Sequence, residues 1–143
     1  MDIENILTSF SLKKTKVRKD VLSLFFHFNY ALSQSDIIKE LKFAYDETTI
    51  YRTINIFESK NIIHKIPDNL KKSSYAVNKE LKTGKCSGDI HIHFHCDSCG
   101  HNFCISPEAE IKVKLPDNLL VSFVNIIANG LCSKCNDKNI QEN

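Results

Sequence analysis

The chain has no window approaching eighteen consecutive apolar residues, so the sequence predicts no helix that spans a bilayer. Its start, MDIENILTSF, lacks a basic stretch followed by an apolar core and a small-residue cleavage site, so no secretory leader is expected either. These two absences lead to the expectation of a soluble, cytoplasmic protein. At 143 residues, the chain is too short for a large multidomain enzyme and suits one compact unit or two small ones. Arginine is scarce, with only Arg18 and Arg52, and two of the four glycines fall between Asn78 and Gly88. The net charge of +2 is too small to announce nucleic-acid binding by itself.

The distribution of charge says more than its total. Residues 1–77 carry twelve Lys/Arg against nine Asp/Glu, a surplus of three, and residues 78–143 carry seven against eight. Both arginines lie in the first half, whereas all six cysteines and four of the six histidines lie in the second. A mildly basic N-terminal unit joined to a metal-binding or redox C-terminal unit is the division this suggests.

In the first half, Thr15 is placed to cap a helix in which Val17, Val21, Leu24, Phe25 and Phe28 recur at helical spacing. Ser33-Gln34-Ser35-Asp36 resembles a capping box, followed by the apolar Ile37, Ile38 and Leu41. Asp46 can cap a third helix. Its Ile50, Ile54 and Phe57 face inward, which puts Thr48, Tyr51, Arg52 and Asn55 on or near the solvent side. Two short strands, Ile62–Ile66 and Ser73–Val77, flank the turn-rich Pro67–Lys72. Helices followed by a hairpin with a basic tip fit a winged helix whose third helix reads a DNA groove. On periodicity alone, a plain helical domain with one exposed polar helix fits equally well.

Asn78–Gly88 has little apolar content and is expected to be a hinge. Asp89–Cys96 then alternates strictly, with Ile90, Ile92 and Phe94 on one face and His91, His93 and His95 on the other. A strand near Asn102–Ile105, a helix over about Pro107–Val113 and a long strand near Leu119–Ala128 would complete a small unit, followed by a polar, frayed tail from Asn136. The expected class is α+β, with a DNA-binding domain over 1–78, a hinge over 79–88, a metal-binding domain over 89–136 and a flexible tail over 137–143.

The chemistry rests on cysteine and histidine. Cys96-x-x-Cys99-Gly100 and Cys132-x-x-Cys135 are two knuckles separated by 32 residues. Four thiolates so arranged close a tetrahedron around Zn²⁺ with bonds of about 2.3 Å and leave no position open for substrate. A thioredoxin-like redox pair would instead need one C-x-x-C opening a helix in a βαβ setting. His91 and His93 point away from Cys96, so they belong to a separate site. Side chains two apart on a strand are about 6.8 Å apart, a gap that two imidazoles close by converging on one ion. An exposed polar strand face is the alternative. A zinc deaminase would want His-x-Glu ahead of its Pro-Cys-x-x-Cys, whereas here Ile92 sits in the middle of a His-x-His and His95 precedes Cys96. Cys86 and Cys104 remain outside the knuckles. Free cysteines are often small buried hydrophobes, but Cys86 lies in the hinge, within reach of the histidine face.

With these residues identified, the sequence resembles the ferric uptake regulator family of metal-sensing repressors over about residues 12–136. The resemblance is carried by Thr15-Lys16-Val17-Arg18, by Thr48-Thr49-Ile50-Tyr51-Arg52-Thr53-Ile54, and by His91-x-His93-x-x-Cys96-x-x-Cys99-Gly100 together with Cys132-x-x-Cys135. It implies a homodimer with N-terminal winged helices, a small C-terminal α/β dimerisation domain, a structural Cys₄ zinc and a regulatory metal near the hinge. It also implies double-stranded operator DNA as partner, with no membrane and no small-molecule substrate, and no enzymatic activity. Tyr51, Arg52, Thr48 and Thr49 would face bases, sugars or phosphates, and Lys16, Arg18, Lys71 and Lys72 would neutralise phosphates.

Departures from the family's pattern bear on the metal. Iron and peroxide sensors of the family usually place a histidine where this chain has Ala31 and a carboxylate where it has Ala76, and Ile90, Ile92 and Val124 replace the ligands of a third site. What remains is similar to the zinc uptake regulator branch, whose pattern implies His64, Cys86, His91 and His93 as regulatory ligands and Cys104 as an alternative donor. Such a thiolate and imidazole shell favours Zn²⁺ over Fe²⁺ or Mn²⁺ on softness alone. An iron- or peroxide-responsive regulator of the same family is the alternative. A thiol redox enzyme or zinc hydrolase is a more distant one, since no Asp or Glu stands between His91 and Cys96 as an evident general base.

Overall fold

The computed structural model describes residues 2–66, 73–78, 81, 91–105, 111–112, 114–122 and 124–141. The chain divides into two compact units, Met1–Cys86 and Ser87–Asn143, so the division falls inside the segment 79–88.

In the first unit the order is α1 (Ile3–Ser9), α2 (Lys16–His27), β1 (Leu32–Ser33), α3 (Gln34–Glu40), α4 (Glu47–Ser59), β2 (Ile63–Lys65) and β3 (Ser74–Val77). The strands form an antiparallel sheet in the order β1-β3-β2. Helices with a small sheet and a hairpin after the last of them make this unit a winged helix. Thr15 stands at the N-cap of α2 as expected, although its side chain makes no capping bond. The box at α3 is complete: the Asp36 backbone N–H donates to Ser33 Oγ at 3.2 Å, and the Ser33 backbone N–H donates to Asp36 Oδ2 at 2.9 Å. At α4, Asp46 accepts from both the backbone N–H and the hydroxyl of Thr49, at 2.9 and 2.6 Å. The hydroxyl bond, and then the backbone bond, hold the Asp46 carboxyl below the usual carboxylate range.

The apolar stripes converge on one core. Val21, Leu22, Phe25, Ile37, Ile50 and Phe57 are essentially without solvent contact, and each such side chain stabilises the fold by roughly 1.5–3 kcal/mol relative to exposure. Two elements of this unit were not anticipated. Helix α1 seats Ile6 and Leu7 in the core, and β1 pairs Leu32 with Tyr75 and Ser33 with Ser74 on the sheet edge.

Three helices of this unit stop in the same way. After α1, α3 and α4, residues Ser11, Lys42 and Asn61 take φ of 56°, 49° and 55°. The next backbone N–H then returns to the helix: Leu12 to Leu7 O, Phe43 to Ile38 O and Ile62 to Phe57 O. This Schellman arrangement satisfies the last carbonyls but puts a side chain in the left-handed region, which costs about 1–2 kcal/mol for anything but glycine, and less for asparagine. Lys42→Gly is therefore expected to raise stability by up to about 1 kcal/mol after glycine's own entropy cost, read as a higher urea midpoint at unchanged m. Lys42→Val is expected to lower it.

The second unit holds β4 (Ile92–Cys96), β5 (Asn102–Ile105), β6 (Ile126–Gly130) and α5 (Ser133–Gln141). Its sheet order is β5-β4-β6, with β5 antiparallel and β6 parallel to β4. Two expectations need correcting, and a third is mostly untested. The last strand is shorter and later than Leu119–Ala128, because Leu119, Leu120 and Val121 are 55%, 100% and 45% exposed and belong to no strand. The tail read as frayed from Asn136 is helical to Gln141. That helix starts inside the second knuckle, where Cys135 N–H and Asn136 N–H both donate to Cys132 O. The helix expected over Pro107–Val113 lies mostly outside the described residues, and Ile111 and Lys112 are not helical. Among the described residues, no helix is long and apolar enough to cross a membrane.

Candidate metal and DNA sites

The parallel pairing of β4 and β6 explains why the two knuckles meet. Parallel neighbours end on the same side of a sheet, so the turns after Cys96 and after Gly130, register partners in the ladder, emerge together. Asp97 N–H donates to Gly130 O at 2.8 Å, and Cys132 N–H donates to Cys96 Sγ at 3.3 Å. Gly100, at φ +71°, turns the chain back after Cys99 and returns its N–H to Cys96 O. The sulfurs of Cys96, Cys99, Cys132 and Cys135 all lie within 4.8 Å of one another.

The electrostatics of this cluster call for a cation. Backbone N–H groups, first that of Cys99 and then that of Cys132, pull the buried Cys96 thiol down to about 6. At Cys99 the His101 N–H favours the thiolate, but desolvation and the sulfurs of Cys96, Cys135 and Cys132 together outweigh it and push the thiol up to about 11. Four thiolates at this spacing repel one another unless a positive ion lies among them. Four sulfur donors in two knuckles are the donor set of a closed tetrahedral zinc site, and they fit that ion. Beyond its three-stranded sheet, the unit buries little apolar surface among its described residues. Among its described residues, Cys96 is the only buried hydrophobic one.

A second donor cluster lies on the other face of β4. Register sets His93 opposite Cys104, and the Cys104 Sγ is 3.6 Å from His93 Nδ1. Period 2 brings His91 to the same face, with its ring centroid 4.4 Å from that of His93. Donor atoms of His91, His93 and Cys104 lie within 4.8 Å of one another, and His93 is only 5% exposed. His95, on the same face, is directed instead to Asn102, with 2.8 Å between His95 Nδ1 and Asn102 Oδ1. In the first unit, His64 stands on β2 opposite Ala76, with Nδ1 2.6 Å from Asn78 Oδ1. Cys86 lies outside the described residues. His101 supplies the carbonyl that accepts from the Cys96 N–H, and His27 is exposed at the end of α2 beside Phe28.

On α4, Thr48, Tyr51, Arg52 and Asn55 are exposed while Ile50, Thr53, Ile54 and Phe57 are buried. The helix thus presents a polar face carrying an aromatic ring and a guanidinium. Thr49 is half-buried, its hydroxyl committed to Asp46, so it serves the helix N-terminus before any ligand. At the start of α2, Lys16 is exposed and Arg18 reaches the Lys13 carbonyl at 3.1 Å. Lys71 and Lys72 lie outside the described residues.

A winged helix followed by a sheet unit bearing two clusters of soft donors defines a metal-dependent DNA-binding regulator. Residues 9–115 match the Ferric uptake regulator family, and the chain belongs to it. It is accordingly a metal-responsive transcription regulator and not an enzyme. By sequence, the chain has no match among curated proteins. Among solved structures, the ferric uptake regulator of Vibrio cholerae aligns with a TM-score of 0.64 at 19% identity, covering 92% of this chain and 100% of that one. A zinc uptake regulator complexed with zinc and DNA aligns at 0.63 and 22%, covering 96% and 92%. The ferric uptake regulator from Francisella tularensis with iron aligns at 0.59 and 22%, covering 89% and 96%. Zinc and iron regulators match about equally well, so the likeness fixes the fold and leaves the metal to the residues.

Proposed function

We propose that this regulator is a cytoplasmic, zinc-responsive repressor that binds double-stranded operator DNA as a homodimer. The observation that carries the metal assignment is the second cluster. A thiol and two imidazoles, with no carboxylate joining them among the described residues, form a soft donor set apart from the four-cysteine site, and softness favours Zn²⁺ over Fe²⁺ or Mn²⁺. Cys96, Cys99, Cys132 and Cys135 would hold the structural ion. His91 and His93, with His64, Cys86 and Cys104 as the further donors, would hold the regulatory one.

By sharing one ion, residues of the wing, the connecting segment and β4 would restrain the two units of each chain. The DNA-binding helices of the dimer would then keep a separation near one helical turn of DNA, about 34 Å. Without that restraint the competent arrangement is only fractionally populated, and apparent affinity falls by that fraction. Tyr51 is suited to a base methyl edge or sugar, Arg52, Thr48 and Thr49 to bases or phosphates, and Lys16, Arg18, Lys71 and Lys72 to phosphates. Ile105, Leu119, Leu120, Val121 and Ile127, each at least 43% exposed, support a second copy of the chain as the partner of this unit.

The test is zinc content per chain in the wild type and in Cys86→Ser, with DNA binding measured on both. The expected result is two zincs falling to one, with loss of zinc-dependent DNA binding. One zinc in both proteins would refute the regulatory assignment.

A further inference from the structure

We propose that Asn78 is a positioning residue that fixes the tautomer of His64, so that the imidazole presents Nε2 as its metal-donating nitrogen. This rests on the reading of His64 as a regulatory zinc ligand and adds an outer residue to that site. The sheet register creates the pair. His64 lies opposite Ala76 in the β2–β3 ladder, and Asn78, two residues further along, shares that face as its diagonal neighbour. The backbone of Asn78 is pinned in turn, its N–H donating to Ile62 O at 2.9 Å and its carbonyl accepting from Leu81 N–H at 3.1 Å.

The orientation of the Asn78 amide follows from its other contact. Its Nδ2 donates to the carbonyl of Asn61, and a backbone carbonyl can only accept, so the amide cannot be turned round without setting two oxygens against each other. Asn61 cannot easily move away, since it is the left-handed residue that terminates α4. Oδ1 therefore faces His64 Nδ1 at 2.6 Å, and because Oδ1 can only accept, Nδ1 carries the proton. In a neutral imidazole the other nitrogen then holds the lone pair, which is the arrangement that outer-shell partners impose on metal-binding histidines. The helix terminus, the wing and the ligand are linked in one chain of bonds, from the Asn61 carbonyl through the Asn78 amide to the His64 ring.

The test begins with the metal-free full-length protein at about pH 8, where an unperturbed imidazole is neutral. Long-range ¹H–¹⁵N correlation spectra give the protonated nitrogen of each histidine, and the His64 signals are those missing in His64→Gln. The expected result is a proton on Nδ1 in the wild type and in Asn78→Asp, whose carboxylate can still accept from the ring although it gives up the bond to the Asn61 carbonyl, and loss of that preference in Asn78→Ala. Zinc titration of the regulatory site is expected to show affinity falling roughly 10–100-fold in Asn78→Ala and recovered in part in Asn78→Asp, which keeps the acceptor for His64 Nδ1 but not the donor to Asn61. A proton on Nε2 in the wild type, or the same tautomer in Asn78→Ala, would overturn the inference while leaving the zinc-sensor reading intact. Unchanged zinc affinity in His64→Gln would instead remove His64 from the ligand set, and the inference would fall with it.

Discussion

Replacing Cys99 by alanine is expected to cost the chain one zinc and the fold of its second unit. Cys96 is the only buried hydrophobic residue among those described in that unit, so apolar burial among the described residues is too little to offset chain entropy, and small units of this kind need a staple. A structural zinc contributes roughly 10–16 kcal/mol of apparent binding free energy in small domains, more than most domains have in total. The winged-helix unit has its own core around Phe25, Ile54 and Phe57 and is expected to stay folded. Metal analysis together with amide exchange resolved by unit checks both statements. A metal-free variant whose residues 92–105 and 126–130 remain protected would contradict them.

Acid is expected to act in the same direction as the mutation. Zinc binds thiolates, so its uptake releases the proton that Cys99, pushed up to about 11, holds at neutral pH. Lowering the pH favours the protonated, metal-free state. Protons compete with zinc for the sulfurs, so the zinc is expected to be lost on acidification at a pH below that at which the metal-free Cys96 thiol, pulled down to about 6, regains its proton.

His93→Ala is expected to have the second largest effect and to leave the first zinc in place. His93 is nearly buried, lies against Cys104 Sγ and packs its ring on His91. Removing it takes away the central donor and leaves a gap that neither neighbour fills. Affinity for the regulatory zinc is expected to fall at least about 100-fold, beyond the range seen when only an outer partner is lost. DNA affinity in zinc should then drop to that of the metal-free wild type. Calorimetric zinc titration and anisotropy of labelled duplex DNA measure the two quantities. Wild-type DNA binding by a His93→Ala protein holding a single zinc would contradict the assignment.

The helices of the first unit were legible because their burial is local. Ile50, Ile54 and Phe57 recur at helical spacing, Asp46 stands before them, and the observed helix follows both signals. Helix α1 carried a similar signal in Ile3, Ile6, Leu7 and Phe10 after Asp2, whose side chain accepts from the Glu4 N–H, and it was missed because it precedes the first obvious cap. Strand β1 has only two residues, too few for any period.

In the second unit the donor types were legible and their partners were not. Alternation alone separated the His91 and His93 face from Cys96. That Cys104 stands beside His93 depends on the β4–β5 register, and that the knuckles meet depends on β6 running parallel to β4. Neither pairing leaves a mark on one strand's sequence. The run Leu119-Leu120-Val121 imitates a buried strand, yet its side chains are exposed in the single chain. Apolar content reports that a surface will be covered, and not by which chain. The link from His64 through Asn78 to Asn61 joins residues 14 and 17 apart in sequence, and only the wing's register brings them together.

The central claim is that zinc controls DNA binding through the second cluster. The most direct measurement is the affinity of the full chain for a duplex selected from a random-sequence pool in excess zinc, titrated against buffered free Zn²⁺, Fe²⁺ and Mn²⁺. Tight binding is expected to be restored by Zn²⁺ at free concentrations far below those at which either other ion acts, with two zincs per chain at saturation. Binding restored by Fe²⁺ or Mn²⁺ in a protein that holds one zinc throughout would contradict the claim.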